Sequence, residues 1–227
     1  MSHDKSPNRV IPVLYEDDCT VVFDKPAGLL VVPTPAREKN TLATLANIQF
    51  KNSGSSEKLL PCHRLDRETS GVIIFAKGEK NQTLVMHQFK KMQVKKRYIA
   101  FIHGKLNRGS GELRSYIRDL DQKKYQKNSS AKFALTRYNV LQVKKKFSVL
   151  EVMPLTGRTN QIRIQFSELG HPLLGERKYA FGRDYELRFR RVALHAAQIE
   201  WQHPVSHKKI VVEASFPEDM EKFLKEN

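Results

Sequence analysis

The sequence predicts an α+β fold around a mixed, largely antiparallel sheet. Short apolar runs separated by turn residues fill Val10–Pro33 and Gly109–Leu155, as in strands joined by tight turns. Fewer segments repeat their apolar residues at helical spacing. The chain has 227 residues, which is enough to bury the core of one large domain.

The first part of the chain predicts a tail, strands and a helix. Residues 1–9 are polar and aperiodic, so we expect a flexible N-terminal tail ahead of one domain over residues 10–227. Three apolar runs in Val10–Pro33, separated by turn residues, predict three strands. Alanines and leucines at helical spacing over Thr41–Phe50 predict a helix that Thr41 caps.

A carboxylate stands just before an apolar run. Asp66 lies between Arg64 and Arg67, and Gly71 then permits an unusual backbone conformation or a close approach at the start of Val72–Ala76. Flanking cations favour the ionised form of an aspartate. Such a carboxylate can act as nucleophile, base or electrostatic stabiliser, whereas an arbitrary Arg-x-Asp-Arg string is more often a surface ion-pair turn.

The middle of the chain predicts an amphipathic helix and then a strand. Glu79–Met92 carries apolar residues three to four positions apart. A basic triplet, Lys95, Lys96 and Arg97, then precedes an apolar run that begins with Tyr98. A tyrosine at this place is either a core residue with its hydroxyl at the surface or part of a site.

The remaining pattern is mostly antiparallel sheet. Gly109–Leu155 is punctuated by lysine-rich turns at Lys123–Lys127 and Lys144–Lys146. Such turns are usually only solvated, but they become phosphate contacts where they face a nucleic acid. A further helix is expected over Pro217–Leu224.

Composition indicates a polyanionic partner. Lysine and arginine total 40 against 24 acidic residues, which gives a net charge of +16 at pH 7. The sequence has no run of about 20 apolar residues and no apolar secretory signal, so we do not expect a membrane as partner. Nucleic acid is therefore the favoured partner.

Cysteine and histidine usage predicts neither disulfides nor a metal site. Cys19 and Cys62 are too few and too far apart for a disulfide framework or a CxxC zinc site, which favours a reducing cytoplasm. His171, His195 and His203 lack the regular spacing and acidic partners of a metal site, so we expect them to be structural. Glycine-rich nucleotide-binding motifs are also absent, and we expect no cofactor.

The string HRLDRETSG closely resembles the active-site motif H-R-L-D-x-x-T-S-G of the RluA-type pseudouridine synthases, in which the aspartate is catalytic. The resemblance assigns that role to Asp66 and makes Arg64 a candidate to fill the space that a flipped base leaves. The family's K-x-Y-x-A-x-x-x-G pattern is matched from Lys96 to Gly104. It implies that Tyr98 stacks on the target uracil and takes part in proton removal from the ring.

A third string, TGRTNQIRIQ, resembles the family's T-G-R-T-H-Q-I-R-V-H but departs from it at Asn160 and Gln165, where histidine is usual. Amides form hydrogen bonds but do not titrate near neutral pH, so we interpret both as altered supporting or RNA contacts. The resemblance makes Arg163 the partner of the catalytic carboxylate. Arg158 suits a phosphate contact or a brace of the loop, and structural ion pairs are the alternative for both arginines.

These motifs, together with a Lys-Pro-Ala-Gly block at Lys25–Gly28, imply one catalytic domain split by a basic active-site cleft. The implied reaction is site-specific isomerisation of uridine to pseudouridine in structured RNA, such as a ribosomal or transfer RNA stem-loop. We expect a monomer that lacks the N-terminal RNA-binding module of some relatives. The alternative is a non-catalytic RNA-binding or ribosome-assembly factor of the same fold. RNA contacts are expected from Arg64, Arg67, Arg158, Lys95, Lys96 and Arg97.

Overall fold

A computed structural model describes residues 10–106, 109–118, 130–180 and 185–227 of the chain. The predicted tail over residues 1–9 and the lysine-rich turn Lys123–Lys127 lie outside these ranges. Within them the helices and strands are, in order, β1 (Val13–Glu16), β2 (Thr20–Lys25), α1 (Leu42–Asn52), β3 (Leu59–Pro61), β4 (Ser70–Lys77), α2 (Gly78–Lys90), β5 (Lys95–His103), β6 (Ser110–Ile117), β7 (Lys132–Val143), β8 (Phe147–Pro154), α3 (Gln161–Glu168), β9 (Leu194–Gln202), β10 (Lys209–Glu213) and α4 (Glu218–Glu226). The fold class is α+β, as predicted.

The chain divides into two units. The first contains the described residues up to Lys95 together with Ala196–Pro217, and therefore β1 to β4, α1, α2, β10 and most of β9. The second contains the described residues of Lys96–His195 together with Glu218–Asn227, and therefore most of β5, β6 to β8, α3 and α4.

The first unit is organised around β2 and β4, which pair antiparallel from Thr20↔Ala76 to Lys25↔Gly71. Strands β1, β2, β4 and β9 follow one another in that order, with β3 paired to β4 and β10 paired to β9. The rings of Phe23 and Phe75 meet edge to face with their centroids 5.4 Å apart. Strand β4 is buried from Ser70 to Ala76, as its apolar sequence predicted.

Helix α1 begins as predicted, but the third apolar run of Val10–Pro33 is not a strand. The Thr41 hydroxyl accepts a hydrogen bond from the Thr44 N–H at 3.3 Å, which is an N-cap. The carbonyls of Leu30 and Val31 accept from the first N–H groups of α1, at 2.7 and 3.0 Å. Because helix α1 uses these carbonyls, the run caps the helix instead of extending the sheet.

The second unit is an antiparallel sheet in the order β5, β8, β7, β6. The predicted turn at Lys144–Lys146 joins β7 to β8. The predicted terminal helix is α4, whose Met220 lies in a buried cluster with Phe101 and Phe147. The guanidinium of Arg191 binds both carboxylate oxygens of Asp219, at 2.6 and 2.9 Å, and fixes the start of α4.

Across the ranges that the structure describes, none of the helices has the length and apolar character needed to cross a membrane.

Candidate active site

The loop that carries Asp66 is held by a buried lysine. Lys25 is 0% exposed, and its Nζ donates to three carbonyl oxygens, among them those of Leu29 at 2.7 Å and Arg67 at 3.1 Å. These acceptors offset the large cost of burying an ammonium group. The N–H of Gly28 donates to the same Arg67 carbonyl at 2.8 Å. The Lys-Pro-Ala-Gly block thus fixes the backbone next to Asp66.

Gly71 lies where the loop enters β4. Its φ is +108°, and a Cβ built on it would lie 2.1 Å from the carbonyl oxygen of Ala196 in β9. No side chain fits at that distance. Both reasons given by the sequence for a glycine here, the backbone conformation and the close approach, are therefore confirmed.

His63 and Cys62 support the loop. The His63 Nε2 accepts a hydrogen bond from the N–H of Ile74 at 3.1 Å, and its ring lies 4.8 Å from that of Phe89 between centroids. Burial raises the pKa of Cys62 to about 12. At neutral pH its thiol stays protonated and is a poor nucleophile. The loop is anchored to β4 and α2 by the contacts of His63 with Ile74 and Phe89.

Asp66 itself is half-buried on a tight turn. Its carbonyl accepts from the Thr69 N–H at 3.1 Å. Arg64 and Arg67 on either side are exposed, and Arg67 donates to Glu38 at 3.2 Å. An exposed ion pair of this kind contributes little, so a phosphate can compete for Arg67. Asp66 is thus half-buried on a turn, and the arginine before it and the arginine after it in the sequence are both exposed.

In the second unit, Arg163 is held by Glu176. Its Nε and Nη2 donate to the two carboxylate oxygens at 2.6 and 2.9 Å. The Glu176 side chain is 0% exposed and that of Arg163 is 13% exposed. Burial alone would raise the pKa of Glu176, but the hydrogen bonds and charge of Arg163, with two backbone N–H groups, lower it below its usual value. The guanidinium is thereby fixed in position.

Asn160 also helps to orient Arg163. It precedes α3 in the left-handed conformation, with φ 54°, which asparagine adopts more readily than most residues. Its Oδ1 accepts from Arg163 Nη1 at 3.0 Å, and its Nδ2 donates to the Tyr179 hydroxyl at 3.0 Å. The first departure from the family pattern is therefore a supporting contact, one of the two interpretations given above.

Gln165, the second departure, is a core residue of this unit. It is 3% exposed, and its Nε2 donates to the carbonyls of Leu113 and Ala134 and to the Ser115 hydroxyl, at 3.1 to 3.3 Å. A buried side chain with these partners joins α3 to β6 and β7. Of the two interpretations of Gln165, a supporting contact or an RNA contact, these internal hydrogen bonds favour the supporting contact.

The basic triplet before Tyr98 does not form one surface. Lys95 is exposed and binds Glu200 at 2.8 Å in the first unit. In the second unit, Lys96 shares the face of β5 with the buried Tyr98, whereas Arg97 points to the opposite face and lies 3.5 Å from Glu151. Successive side chains of a strand point to opposite faces, so three adjacent basic residues do not all lie on one surface.

Lys96 and Arg158 both hold the loop before α3. The Lys96 Nζ donates to the Thr156 carbonyl at 3.0 Å, and the Arg158 Nε donates to the Phe133 carbonyl at 2.9 Å. Burial, and then the charge of Arg158, lower the pKa of Lys96 to about 8. Of the two roles predicted for Arg158, the structure shows the brace of the loop.

Within the described residues, one group could offer metal ligands: Asp18, Cys19 and His203, whose ligand atoms lie within 4.8 Å of one another. The His203 Nδ1 accepts from the N–H groups of Val205 and Ser206 at 3.3 and 3.0 Å. The ring proton therefore lies on Nε2, which donates to Asp18 at 2.8 Å. Burial raises the pKa of Cys19 to about 11 and disfavours the thiolate. The group fits a structural hydrogen bond better than a metal.

Two supporting residues were missed by the sequence reasoning. Lys25 was read only as part of a family-like block at the end of a strand, and Glu176 only as part of a turn. The available signal for Glu176 was an acidic residue directly after an apolar Leu-Leu-Gly turn. A glutamate is almost never fully buried unless it is paired, so burial here would require a cation, although that partner cannot be read from the sequence.

Comparison with known proteins agrees with the motifs. A family model described as RNA pseudouridylate synthase matches residues 19–168. An uncharacterized RNA pseudouridine synthase of Bacillus subtilis, YhcT, is 35% identical over 214 residues, covering 92% of this chain and 70% of that protein. The dual-specificity RNA pseudouridine synthase RluA of Vibrio cholerae is 33% identical over 220 residues, covering 94% of this chain and 87% of that protein.

Among solved structures, human RNA pseudouridylate synthase domain containing 4 matches with a TM-score of 0.77 at 24% sequence identity, covering 94% of this chain and 91% of that one. The fold is therefore that of a pseudouridylate synthase domain. Since the family model spans more than half of the sequence, the chain belongs to the RNA pseudouridylate synthase family. Its reaction class is the isomerisation of uridine to pseudouridine in RNA, as the motifs predicted.

Proposed function

We propose that Asp66 is the catalytic carboxylate, and that Tyr98 and Arg163 act with it on the same nucleotide. The observation that carries the proposal is the construction of the Asp66 loop. Lys25 and Gly71 fix the backbone that follows Asp66, at Arg67 and at the start of β4, while the Asp66 side chain is only half-buried. A rigid backbone that presents a reachable carboxylate is what a positioned catalytic group requires.

The reaction rearranges bonds within one nucleotide. The bond from the ribose carbon to uracil N1 breaks, the uracil turns, and a bond to C5 replaces it; C5 loses a proton and N1 carries one in the product. No atom or electron enters from outside. Asp66 acts either by attacking the sugar carbon or as a base toward the sugar. Tyr98 holds the detached uracil by stacking and takes part in removing the C5 proton.

Arg163 is assigned to the electrostatics of this site. A cation favours the ionised form of Asp66, without which neither role of the carboxylate is available. An arginine has five N–H donors. Glu176 takes two of them and Asn160 a third, which orients the guanidinium before substrate binds. Arrangement in advance of the reaction is what makes electrostatic stabilisation effective.

The proposed substrate is a stem-loop of ribosomal or transfer RNA. Taking a base out of its stack costs a few kcal/mol, and less in a loop than in a duplex. Arg64 fills the vacated space, and Arg67, Arg97, Arg158 and Lys95 supply phosphate contacts. The half-buried Lys96 supports the loop before α3. Residues 10–227 act as one catalytic domain, a cytoplasmic monomer that needs no metal or cofactor.

The test uses RNA extracted from cells that lack the gene. Purified wild type, Asp66→Asn and Glu68→Gln are incubated with this RNA, and pseudouridines are mapped. Wild type and Glu68→Gln restore pseudouridine at defined sites. Asp66→Asn is slower by about a thousandfold or more yet still binds RNA, because phosphate contacts supply most of the affinity. Asp66→Asn turnover near wild type would refute the assignment. Wild type that binds RNA without forming pseudouridine would indicate the non-catalytic alternative.

A further inference from the structure

One face of the β6–β7 hairpin is open to solvent. Residues that lie opposite each other in an antiparallel pair share a face of the sheet, and every second pair belongs to the same face. On the open face the opposite pairs are Glu112 with Arg137, Arg114 with Leu135, and Tyr116 with Phe133. The other face is covered by α3, through the buried Gln165 described above. The hairpin is thus a supported surface with one accessible side.

Two aromatic rings stand together on this open face. Tyr116 is 72% exposed and Phe133 is 41% exposed. Their ring centroids are 5.7 Å apart, at an interplanar angle of 62°. Such pairs can serve simply to stabilise a hairpin. That role does not require rings as exposed as these, and a paired, exposed aromatic patch is a common mark of a binding site.

The surroundings of the rings are basic. Arg114 and Arg137 are 72% and 60% exposed in their side chains, and both bind the one carboxylate of Glu112, at 2.6 and 3.0 Å. Two cations therefore share one anion. Arg118, two residues beyond Tyr116, is also exposed. Excess positive charge beside exposed aromatic rings matches a polyanion whose bases can stack.

We propose that Tyr116 and Phe133 form a stacking platform for unpaired bases of the RNA substrate, with Arg114 and Arg137 binding the adjoining phosphates. The platform rests on the proposed function, since RNA is its occupant. It contributes affinity and orientation instead of chemistry. Aromatic rings accept any base by its face, so the platform favours single-stranded RNA over duplex without reading its sequence.

The platform is tested by binding of fluorescein-labelled single-stranded oligouridylate and of a duplex RNA. Tyr116→Leu and Phe133→Leu keep apolar side chains on the strands but remove the rings. Each is expected to weaken oligouridylate binding about tenfold while duplex binding stays unchanged. Tyr116→Phe keeps the ring and binds as wild type. Leu141→Ser, which alters another exposed apolar residue of β7, serves as the control and also binds as wild type.

The salt dependence separates stacking from phosphate contacts. The slope of log affinity against log salt concentration is unchanged in the two leucine variants, because no charge is removed. In Arg114→Gln the slope falls by about 0.7, as for one lost single-strand phosphate contact. The platform is refuted if the leucine variants bind oligouridylate as tightly as wild type, or if they lose oligouridylate and duplex binding equally.

Pseudouridine formation on the extracted RNA is measured in parallel. Wild type that modifies RNA while the leucine variants bind normally refutes the platform alone. Wild type that neither binds nor modifies RNA refutes the proposed function, and the platform with it.

Discussion

Arg163 and Glu176 form a two-point ion pair, in which Nε and Nη2 of the guanidinium meet the two carboxylate oxygens at 2.6 and 2.9 Å. Glu176 also accepts from the backbone N–H groups of Lys178 and Tyr179 at 2.8 and 3.1 Å. Together these four hydrogen bonds satisfy the carboxylate of Glu176, which is not exposed to solvent. The orientation of Arg163 therefore depends on a residue thirteen positions away.

Glu176→Gln should lower both stability and activity. A neutral amide removes the carboxylate charge that faces the Arg163 guanidinium in a buried setting, and breaking such a buried pair typically costs about 3–5 kcal/mol. Urea unfolding measures the loss. Glu200→Gln is the control, since Glu200 also binds two cations, Lys95 and Lys209, but at the surface, where its removal should barely move the midpoint. Equal effects of the two substitutions would contradict the buried pair.

The same pair predicts a pH dependence. The pKa of Glu176 in the folded protein lies below its ordinary 4.5, so the stabilisation it provides is fully present above pH 4.5 and is lost as the pH falls through the lowered value. The stability difference between wild type and Glu176→Gln should therefore be constant near neutral pH and shrink in acid. A difference that grows below pH 4.5 would show that the sign is wrong.

Asn160→Gly should reduce turnover with little loss of stability. Glycine accepts the left-handed backbone at φ 54° without strain but removes the contacts to Arg163 and Tyr179. We expect kcat for pseudouridine formation to fall about tenfold, because a less well-oriented cation stabilises charge less well. KM should change little. Unchanged kcat would show that Asn160 has no part in orienting Arg163.

Gly71→Ala should destabilise the first unit by about 3 kcal/mol or more, because the new Cβ would meet the Ala196 carbonyl at 2.1 Å on a backbone with φ +108°. Gly109→Ala provides the comparison, since a Cβ there meets nothing within 4 Å. Thermal unfolding of the two variants should differ clearly. Similar midpoints would mean that the loop can move away from β9 at little cost.

Lys96 predicts a second pH effect, in alkali. Its pKa falls from 10.5 to about 8 on folding, so between these values the unfolded chain binds more protons than the folded one. The free-energy cost of burying the Lys96 charge is therefore absent above pH 10.5, where the amine is neutral in both states, and it is fully present below about pH 8. The stability of wild type relative to Lys96→Met should rise from pH 8 to 10. Lys95→Met, which removes an exposed lysine one position earlier in β5, serves as the comparison.

How much could be predicted from the sequence depends on how local the signal is. The cap at Thr41, the buried run after Gly71 and the terminal helix were all predicted correctly, because each is encoded by neighbouring residues. The run containing Leu30 and Val31 was assigned wrongly, because its carbonyls bind a helix that begins later in the chain.

The candidate site follows the same rule. Asp66 was found from a contiguous string, and Arg163 from another. Their supports were not found, because Lys25 and Glu176 act through tertiary contacts. The opposite faces of Lys96 and Arg97 were also missed, since strand register decides which side chain points where.

The contact of Gly71 with Ala196 has a consequence for biosynthesis. The Asp66 loop is translated in the first third of the chain, whereas the strand that fits against Gly71 emerges from the ribosome near the end. Domains fold as units once their partner segments are available. A nascent chain that stops short of β9 therefore contains the Asp66 loop without the strand against which Gly71 fits.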